Sequence, residues 1–286
     1  MKIPLLQRIL KAVAKEEVKA YIKKEIAAVQ VPSQDQLNDL SILTQQLLWI
    51  LRQEANIPPP PPKHLQIRVV GGYLPHFIES GYTHLFQLLN QGIKLTGKEL
   101  KDFKSILDWG CGCGRGIRAF ATMLPSCKFY GTDIDPEAIK WLKANYSKFG
   151  EFSIAPHLPP LPYEDQKFDL VFGFSVFTHL PEDMQFEWLK ELTRITKPHG
   201  YAILSTHGEN FYKTLSAEIR EVINKKGFFH TDFGKNYGRS ISLPDFYQTA
   251  YHSTDYIRKE WSKYFDVIDI KETPNNHDII LLQNRG

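Results

Sequence analysis

The spacing of hydrophobic positions divides the chain into two parts. Residues 3–29 and 33–56 each repeat apolar side chains at every third or fourth position, which predicts two amphipathic helices. Ser33 is well placed to cap the second helix. Residues 1–56 are therefore expected to form a helical hairpin appendage, and the proline run that follows makes 57–63 an extended linker.

The apolar stripes of this hairpin need a partner, because a helix buries its apolar face against something. The core domain, a second copy of the chain and a membrane surface are all open at this point. The polar face mixes lysines with glutamates, which favours packing over membrane binding. Homo-oligomerisation through these helices is one expectation.

Beyond the linker, apolar runs alternate with amphipathic segments, and residues 64–286 are expected to form one α/β domain. Such alternation predicts a doubly wound, mostly parallel sheet covered by helices on both faces. The predicted strands are 66–70, 105–108, 127–133, 152–155, 168–175, 201–206, 265–271 and 278–283. The turn between the last two strands is too short for a crossover, so this pair should be antiparallel.

A long insertion, 209–252, separates the alternating part from the last strands. Its start predicts a helix over 210–226, and the rest is irregular and aromatic, which is typical of a lid. It lacks the lysine and arginine track that a polynucleotide would need. We expect this segment to cap a pocket for a small molecule or a sugar-like group.

Composition excludes several other classes. The formal net charge of +3 over 286 residues does not indicate a nucleic-acid partner. The three cysteines form no even disulfide set and lack the paired spacing of a zinc site, so a reducing cytoplasm and no metal are expected. No apolar run reaches membrane-spanning length.

A glycine turn follows the first strand of the domain. Asp108 precedes Gly110, Gly112 and Gly114, and helical spacing resumes at Ile117. Alternating glycines allow positive φ angles and a close approach of the backbone to a ligand. The spacing does not fit the G-x-G-x-x-G fingerprint of dinucleotide-binding proteins, which disfavours a nicotinamide oxidoreductase.

This turn resembles motif I of the class I S-adenosylmethionine (SAM) methyltransferases, and the run L-P-Y-x-x-x-x-F-D-L-V-F resembles the entry to their fourth strand. The resemblance implies a seven-stranded sheet with an antiparallel last strand. It also implies SAM as cofactor, with the methionine moiety and adenosine facing Asp108, Gly110, Cys111 and Gly112. A lid before the motif would bring Arg68 and Tyr73 near the cofactor.

The second strand ends in two aspartates that can be separated physically. Asp135 precedes Pro136 at a natural first helical position, which predicts a helix N-cap. Asp133 then lies at the strand end, and the resemblance implies that it binds the ribose hydroxyls. Ile134 and Ser175 complete the expected cofactor site.

Three histidines are candidates for a general base, because imidazole titrates near neutral pH. They are His179, His207 and His252, and a packing or capping role is the alternative for each. His199 is not a candidate base; it replaces a glycine of the family's turn before the fifth strand. We therefore expect a SAM-dependent methyltransferase that modifies a small-molecule or sugar-like acceptor on oxygen. A nucleotide-dependent oxidoreductase and a non-catalytic SAM-binding module are the alternatives.

Overall fold

The computed structural model describes residues 60–72, 74, 76–124, 126–231, 247–273 and 277–286. The expected N-terminal hairpin, most of the linker, Tyr73, the middle of the insertion (232–246) and the 274–276 turn lie outside the described residues. Within the described ranges, no helix combines the length and apolar character needed to cross a membrane.

A seven-stranded sheet forms the centre of the domain. The strands of the domain are β1 (Ser105–Trp109), β2 (Lys128–Asp133), β3 (Gly150–Ile154), β4 (Phe168–Gly173), β5 (Thr196–Thr206), β6 (Phe228–Thr231), β7 (Thr249–His252), β8 (Asp266–Lys271) and β9 (Asp278–Gln283). All but β6 and β7 belong to this sheet, in the order β3-β2-β1-β4-β5-β9-β8. The neighbours from β3 to β5 pair in parallel, whereas β9 pairs antiparallel with both β5 and β8. The predicted class of sheet, including its antiparallel last strand, is confirmed.

Helices flank this sheet and connect its strands. They are α1 (Lys63–Val70), α2 (Phe77–Ser80), α3 (Phe86–Leu95), α4 (Arg115–Met123), α5 (Pro136–Asn145), α6 (Glu182–Ile195), α7 (Glu209–Tyr212), α8 (Ala217–Lys226) and α9 (Thr254–Glu260). A π-helical turn, Gly81–Leu85, joins α2 to α3. Short 3-10 turns lie at Leu100–Asp102 and Trp261–Lys263.

The order of the strands indicates where a ligand would bind to the sheet. Successive parallel strands run outward from β1 in one direction and from β4 in the other, so the chain reverses between these two strands. Ligands of open α/β sheets bind at such a switch point, beyond the carboxyl ends of the strands. Burial of β4, whose Leu170, Val171 and Phe172 are all 2% exposed or less, fixes this part of the sheet in the core.

The prediction of a strand over 66–70 is wrong, because this segment belongs to α1. Leu65 and Val69 are one helical turn apart, and both pack in a cluster with Phe77 and Cys113. Gly71 then ends the helix in the left-handed conformation, with φ 74°. The short apolar run thus reflects one buried helix face.

The insertion also differs from its prediction. The expected helix over 210–226 is interrupted, since Ser216 caps a new helix, α8, by accepting a hydrogen bond from the Ile219 N–H. Two further strands, β6 (Phe228–Thr231) and β7 (Thr249–His252), pair antiparallel as a separate sheet. Ser253 caps α9, because its Oγ accepts a hydrogen bond from the Tyr256 N–H.

Candidate active site

A cavity of about 1140 Å³ opens at the carboxyl ends of β1, β2 and β4. Its lining includes every residue predicted for cofactor binding: Asp108, Gly110, Cys111, Gly112, Asp133, Ile134 and Ser175. The size fits a nucleoside-containing ligand together with a second small molecule. The fold therefore brings the predicted cofactor residues to one place.

The glycine turn between β1 and α4 leaves no room for side chains. Gly110 and Gly112 have φ angles of 78° and 54°, which disfavour any residue with a β-carbon. A β-carbon at Gly110 would lie 2.4 Å from Val176, and one at Gly112 would lie 2.6 Å from Val69. The turn thus passes closely beneath α1 and the segment after β4, with its backbone forming the floor of the cavity.

Asp133 connects this turn to the end of β2. Its Oδ2 accepts a hydrogen bond from the Gly112 N–H at 2.7 Å, and its Oδ1 accepts one from the Asp135 N–H at 2.9 Å. Burial raises the pKa of Asp133, while the two backbone donors oppose that rise. The carboxylate is held in one orientation at the cavity wall, where a ligand hydroxyl can reach it.

Asp135 is an N-cap, as predicted. Its Oδ1 accepts hydrogen bonds from the backbone N–H groups of Glu137 and Ala138, at 2.9 and 3.2 Å. Its Oδ2 accepts from Arg68 Nη1 at 2.8 Å, and the same guanidinium also pairs with Glu137. Arg68 lines the cavity, so these contacts tie α1 to the start of α5 beside the expected nucleoside end.

The carboxyl group of Asp108 and the guanidinium of Arg115 lie on the floor of the cavity. Asp108 is only 4% exposed, and burial together with the nearby Asp133 raises its pKa to about 7, against the effect of Arg115. Arg115 is also largely buried, which lowers its pKa. Its Nη1 donates to Ser80 Oγ at 3.4 Å, and its Nε has no partner among the described residues.

Arg115 was not identified as a site residue from the sequence. A cation directly after three alternating glycines could have indicated one, because such a turn approaches a ligand closely. Together with Asp108, Arg115 offers a carboxylate and a guanidinium to one ligand. An α-amino acid carries the complementary ammonium and carboxylate. The buried guanidinium of Arg115 has an Nε without a partner among the described residues, and an anion would satisfy it. Asp108 and Arg115 therefore fit the methionine end of SAM.

The other half of the cavity is lined by imidazole and aromatic rings. His84 from the π-helical turn, Phe174 after β4, His207 after β5 and His277 before β9 meet there, joined by His179 and Tyr247. Burial is the main cause that lowers the pKa of His84 and brings that of His277 to about 3. Sequence reasoning missed His84 and His277, because neither follows a parallel strand.

The three predicted histidines lie in different environments. His179 and His207 line the cavity; His179 Nδ1 is 2.7 Å from the Gln248 carbonyl oxygen, and its ring stacks on Tyr247. His252 is fully buried outside the cavity lining, with Nε2 2.8 Å from Gln185 Oε1. Burial lowers the pKa of His252 to about 3, and its surroundings correspond to the packing alternative.

No cluster of three or more His, Cys, Asp or Glu side chains suited to a metal ion occurs in the part of the chain that the structure describes. Cys111 and Cys113 are buried in the glycine turn, and burial is the main cause that raises the pKa of both thiols. Both cysteines are therefore protonated near neutral pH, which disfavours thiolate chemistry.

Comparison with known proteins gives a consistent result. Residues 106–200 match the protein family described as methyltransferase domain. An uncharacterized protein of Haemophilus influenzae is 27% identical over 165 residues, covering 51% of this chain and 64% of that protein. The chloroplastic tocopherol O-methyltransferase of Arabidopsis thaliana is 29% identical over 131 residues, covering 42% of this chain and 36% of that enzyme. The matches thus span less than two thirds of either relative.

A solved structure supports the fold assignment. A protein from Galdieria sulphuraria, described as a sarcosine dimethylglycine methyltransferase, superposes with a TM-score of 0.52 at 13% identity. The superposition covers 78% of this chain and 97% of that one. At this identity the likeness concerns the fold alone.

Proposed function

We propose that this chain is a class I SAM-dependent methyltransferase that transfers a methyl group from SAM to the oxygen of a small-molecule acceptor, as the family match over residues 106–200 and the order of the sheet support. The observation that carries the proposal is the convergence of Asp108, Arg115 and Asp133 on one cavity at the switch point of the sheet.

Each of these residues suits a different part of the cofactor. Asp108 would accept hydrogen bonds from the ammonium group, and Arg115 would donate to the carboxylate. Asp133 has two oxygens already fixed by backbone donors, and each retains a lone pair for a ribose hydroxyl. The glycine turn lets the backbone pass close to the ligand.

The bound cofactor supplies an electrophilic methyl group, whose bond to sulfur breaks with its electron pair left on sulfur as the acceptor oxygen forms its bond to carbon. The protein's own residues hold the acceptor in line, exclude water and receive the hydroxyl proton. The histidines in one half of the cavity are the groups that can receive this proton. The aromatic rings of this half support an acceptor with flat apolar faces.

The relatives support a small-molecule acceptor. The name of the Arabidopsis relative states an O-methyltransferase that acts on tocopherol, which is a small molecule. A hydroxyl acceptor must give up its proton to a base, and a carbon or nitrogen acceptor depends less on one. The histidines of the cavity therefore support oxygen as the methylated atom. Cytoplasmic location and self-association remain predictions.

Isothermal titration with S-adenosylhomocysteine (SAH), and separately with NAD, tests the cofactor assignment. We expect binding of SAH and none of NAD. Binding of NAD without SAH would overturn the proposal in favour of an oxidoreductase. Methyl transfer to any acceptor in the presence of SAM would in turn exclude a module that binds SAM without catalysis.

A further inference from the structure

The cavity half opposite Asp133 has a distinct wall, made of His84, Phe174, His207 and His277, which we call the imidazole wall. We propose that the imidazole wall is the subsite for a planar phenolic acceptor and that Nδ1 of His277 takes the proton of its hydroxyl group. The inference rests on the proposed function, because it specifies the acceptor of that same reaction.

The wall is a continuous series of ring contacts. The ring of Phe174 lies 5.4 Å from that of His84 and 4.4 Å from that of His277, and His277 lies 4.9 Å from His207. These four residues come from four separate segments of the fold, so the tertiary structure assembles them beside the glycine turn. All four residues line the cavity, so their rings offer contacts to a further flat ring.

The distribution of polar groups favours a phenol over a sugar. Among the described lining residues, the four carboxylates are Asp108, Asp133, Asp135 and Glu137, all at the end of β1, the end of β2 or the start of α5. Neither Asn nor Gln is among these described lining residues. A sugar presents several hydroxyls, each of which would need a partner once buried. The imidazole wall instead suits an acceptor with one hydroxyl and an apolar body.

His277 has the hydrogen-bonding arrangement of a base. Its Nε2 lies 3.2 Å from Ser175 Oγ, which is itself 3.1 Å from Thr178 Oγ1. With Nε2–H donating to Ser175, Nδ1 carries the lone pair, and Nδ1 makes no hydrogen bond to another residue of the described ranges. The ring lines the cavity, so this nitrogen is available to an acceptor hydroxyl.

Ser175, whose hydroxyl lies beside His277, has an unusual backbone conformation. Ser175 has a φ of 59°, a left-handed conformation that costs energy in a residue other than glycine. Its N–H donates to Ser205 Oγ at 2.7 Å, which fixes the strained turn. Backbone strain of this kind clusters at functional sites, and Ser175 lies in the cavity lining with its hydroxyl within hydrogen-bond distance of His277.

Burial is the main cause that keeps the ring of His277 neutral, because it lowers the pKa of this imidazole to about 3. Nearby His207, His84, His179 and Arg115 lower that pKa further, since a second positive charge among them is unfavourable. In the proposed step the phenol oxygen forms its bond to the methyl carbon while the bond between that carbon and sulfur breaks, with its electron pair left on sulfur. The O–H proton moves to Nδ1 of His277, which later gives that proton to water. A hydroxyl oxygen that is gaining a methyl group becomes strongly acidic, so a weakly basic imidazole suffices to receive its proton.

The protonation state can be measured without any turnover. The full-length protein labelled with ¹⁵N-histidine gives two-bond ¹⁵N–¹H correlations that distinguish the two tautomers, and the His277→Gln variant assigns the signals. We expect a neutral His277 with hydrogen on Nε2 and a bare Nδ1 at pH 7. Hydrogen on Nδ1, or an imidazolium, would overturn the assignment of the base.

Turnover of two probe phenols tests the chemistry. Unsubstituted phenol ionises near pH 10 and needs a base at pH 8, whereas 4-nitrophenol is largely ionised there without one. With SAM present, we expect His277→Gln to lose about 100-fold or more in rate with phenol and less than about 10-fold with 4-nitrophenol. His199→Gly, a change at the opposite end of β5, serves as the matched histidine control and should behave as the parent chain.

The outcomes separate this inference from the proposed function. Equal losses on both phenols in His277→Gln, with SAH affinity retained, would overturn the role of His277 as a base. A parent chain that binds SAH and methylates glucose but neither phenol would overturn the acceptor class. A parent chain that fails to bind SAH would contradict the proposed function itself.

Discussion

Gly112 donates its backbone N–H to Asp133 Oδ2 at 2.7 Å, although the two residues are 21 positions apart in the sequence. This hydrogen bond joins the glycine turn after β1 to the end of β2. It also orients a carboxylate whose other oxygen is fixed by the Asp135 N–H. The site is therefore pre-organised on the protein side before a ligand contributes any contact.

Asp133→Ala is expected to weaken SAH binding by about 10- to 100-fold, because the two ribose hydroxyls of the proposed site would lose their acceptor. Titration calorimetry at pH 7 measures this loss directly. Asp135→Ala is the matched control, since it removes a neighbouring carboxylate that caps a helix. A larger loss of affinity in Asp135→Ala than in Asp133→Ala would contradict the assignment of the ribose ligand.

Asp135→Ala is expected to lower the free energy of unfolding by about 1–2 kcal/mol. The substitution removes both N-cap hydrogen bonds of α5 and the ion pair with Arg68. Urea unfolding followed by circular dichroism gives this value. Arg68→Met removes the ion pairs with Asp135 and Glu137 but leaves the N-cap, and it should cost less, because these ion pairs are only partly buried. Equal costs for the two variants would show that the cap contributes nothing.

The sequence was sufficient to predict the parallel sheet, the glycine turn and the N-cap at Asp135, because each depends on local pattern or on residues close in the chain. It was not sufficient to predict the imidazole wall. His84 and His277 are 193 positions apart, and only the antiparallel insertion of β9 beside β5 brings them to one cavity. No local pattern marks either residue.

The wrong strand at residues 66–70 and the overlooked Arg115 have a similar physical origin. Residues 66–70 contain β-branched side chains that favour a strand, yet Leu65 and Val69 bury one helix face against Phe77. Arg115 was overlooked because charge at the first turn of a helix is usually exposed, whereas Arg115 packs beneath Gly81 and the ring of Phe77. Tertiary packing decided the outcome in both places.

Asp108 is expected to make the stability of the unliganded protein depend on pH. Its pKa is raised from 3.8 to about 7, so the unfolded chain loses this proton at lower pH than the folded protein. Stability from this group therefore falls as pH rises from about 4 to 7, by about 1.4 kcal/mol for each pH unit, and is constant above pH 7.

Asp108→Asn removes this titration while keeping the shape of the side chain. The unfolding free energy of Asp108→Asn minus that of the parent chain should rise between pH 5 and 7 and level off by pH 8. Urea unfolding at four pH values measures the difference, in which the other titrating groups cancel. A difference that stays constant with pH would show that Asp108 ionises in its usual range.

His199→Gly is expected to raise the free energy of unfolding by up to about 1 kcal/mol. His199 has a φ of 59°, which favours glycine, and its hydrogen bonds to Asn284 and Gln283 use backbone atoms that a glycine keeps. His199→Ala retains the strain and removes only the ring, so it serves as the control. Equal stabilities of the alanine and glycine variants would indicate that this backbone conformation carries no strain.

Arg115 is proposed to bind the amino-acid part of the cofactor and not its nucleoside part. If its guanidinium binds the carboxylate of the cofactor, Arg115→Met should weaken SAH binding by about 10- to 100-fold. Binding of 5′-methylthioadenosine, which has the same nucleoside but no amino acid, should be unchanged. The ratio of the two affinities therefore isolates the carboxylate contact from any general disturbance of the cavity.

Stability provides the second half of the test. Within the described residues, Arg115 is a buried cation with an unpartnered Nε, and burial lowers its pKa. A buried charge that lacks a full set of hydrogen-bond partners costs free energy, so replacing it by an apolar side chain of similar length removes that cost. We therefore expect Arg115→Met to unfold at the same or a higher urea concentration than the parent chain. A variant that loses stability and binds both ligands equally badly would mean that Arg115 maintains the fold, and the carboxylate of the cofactor would then need another donor.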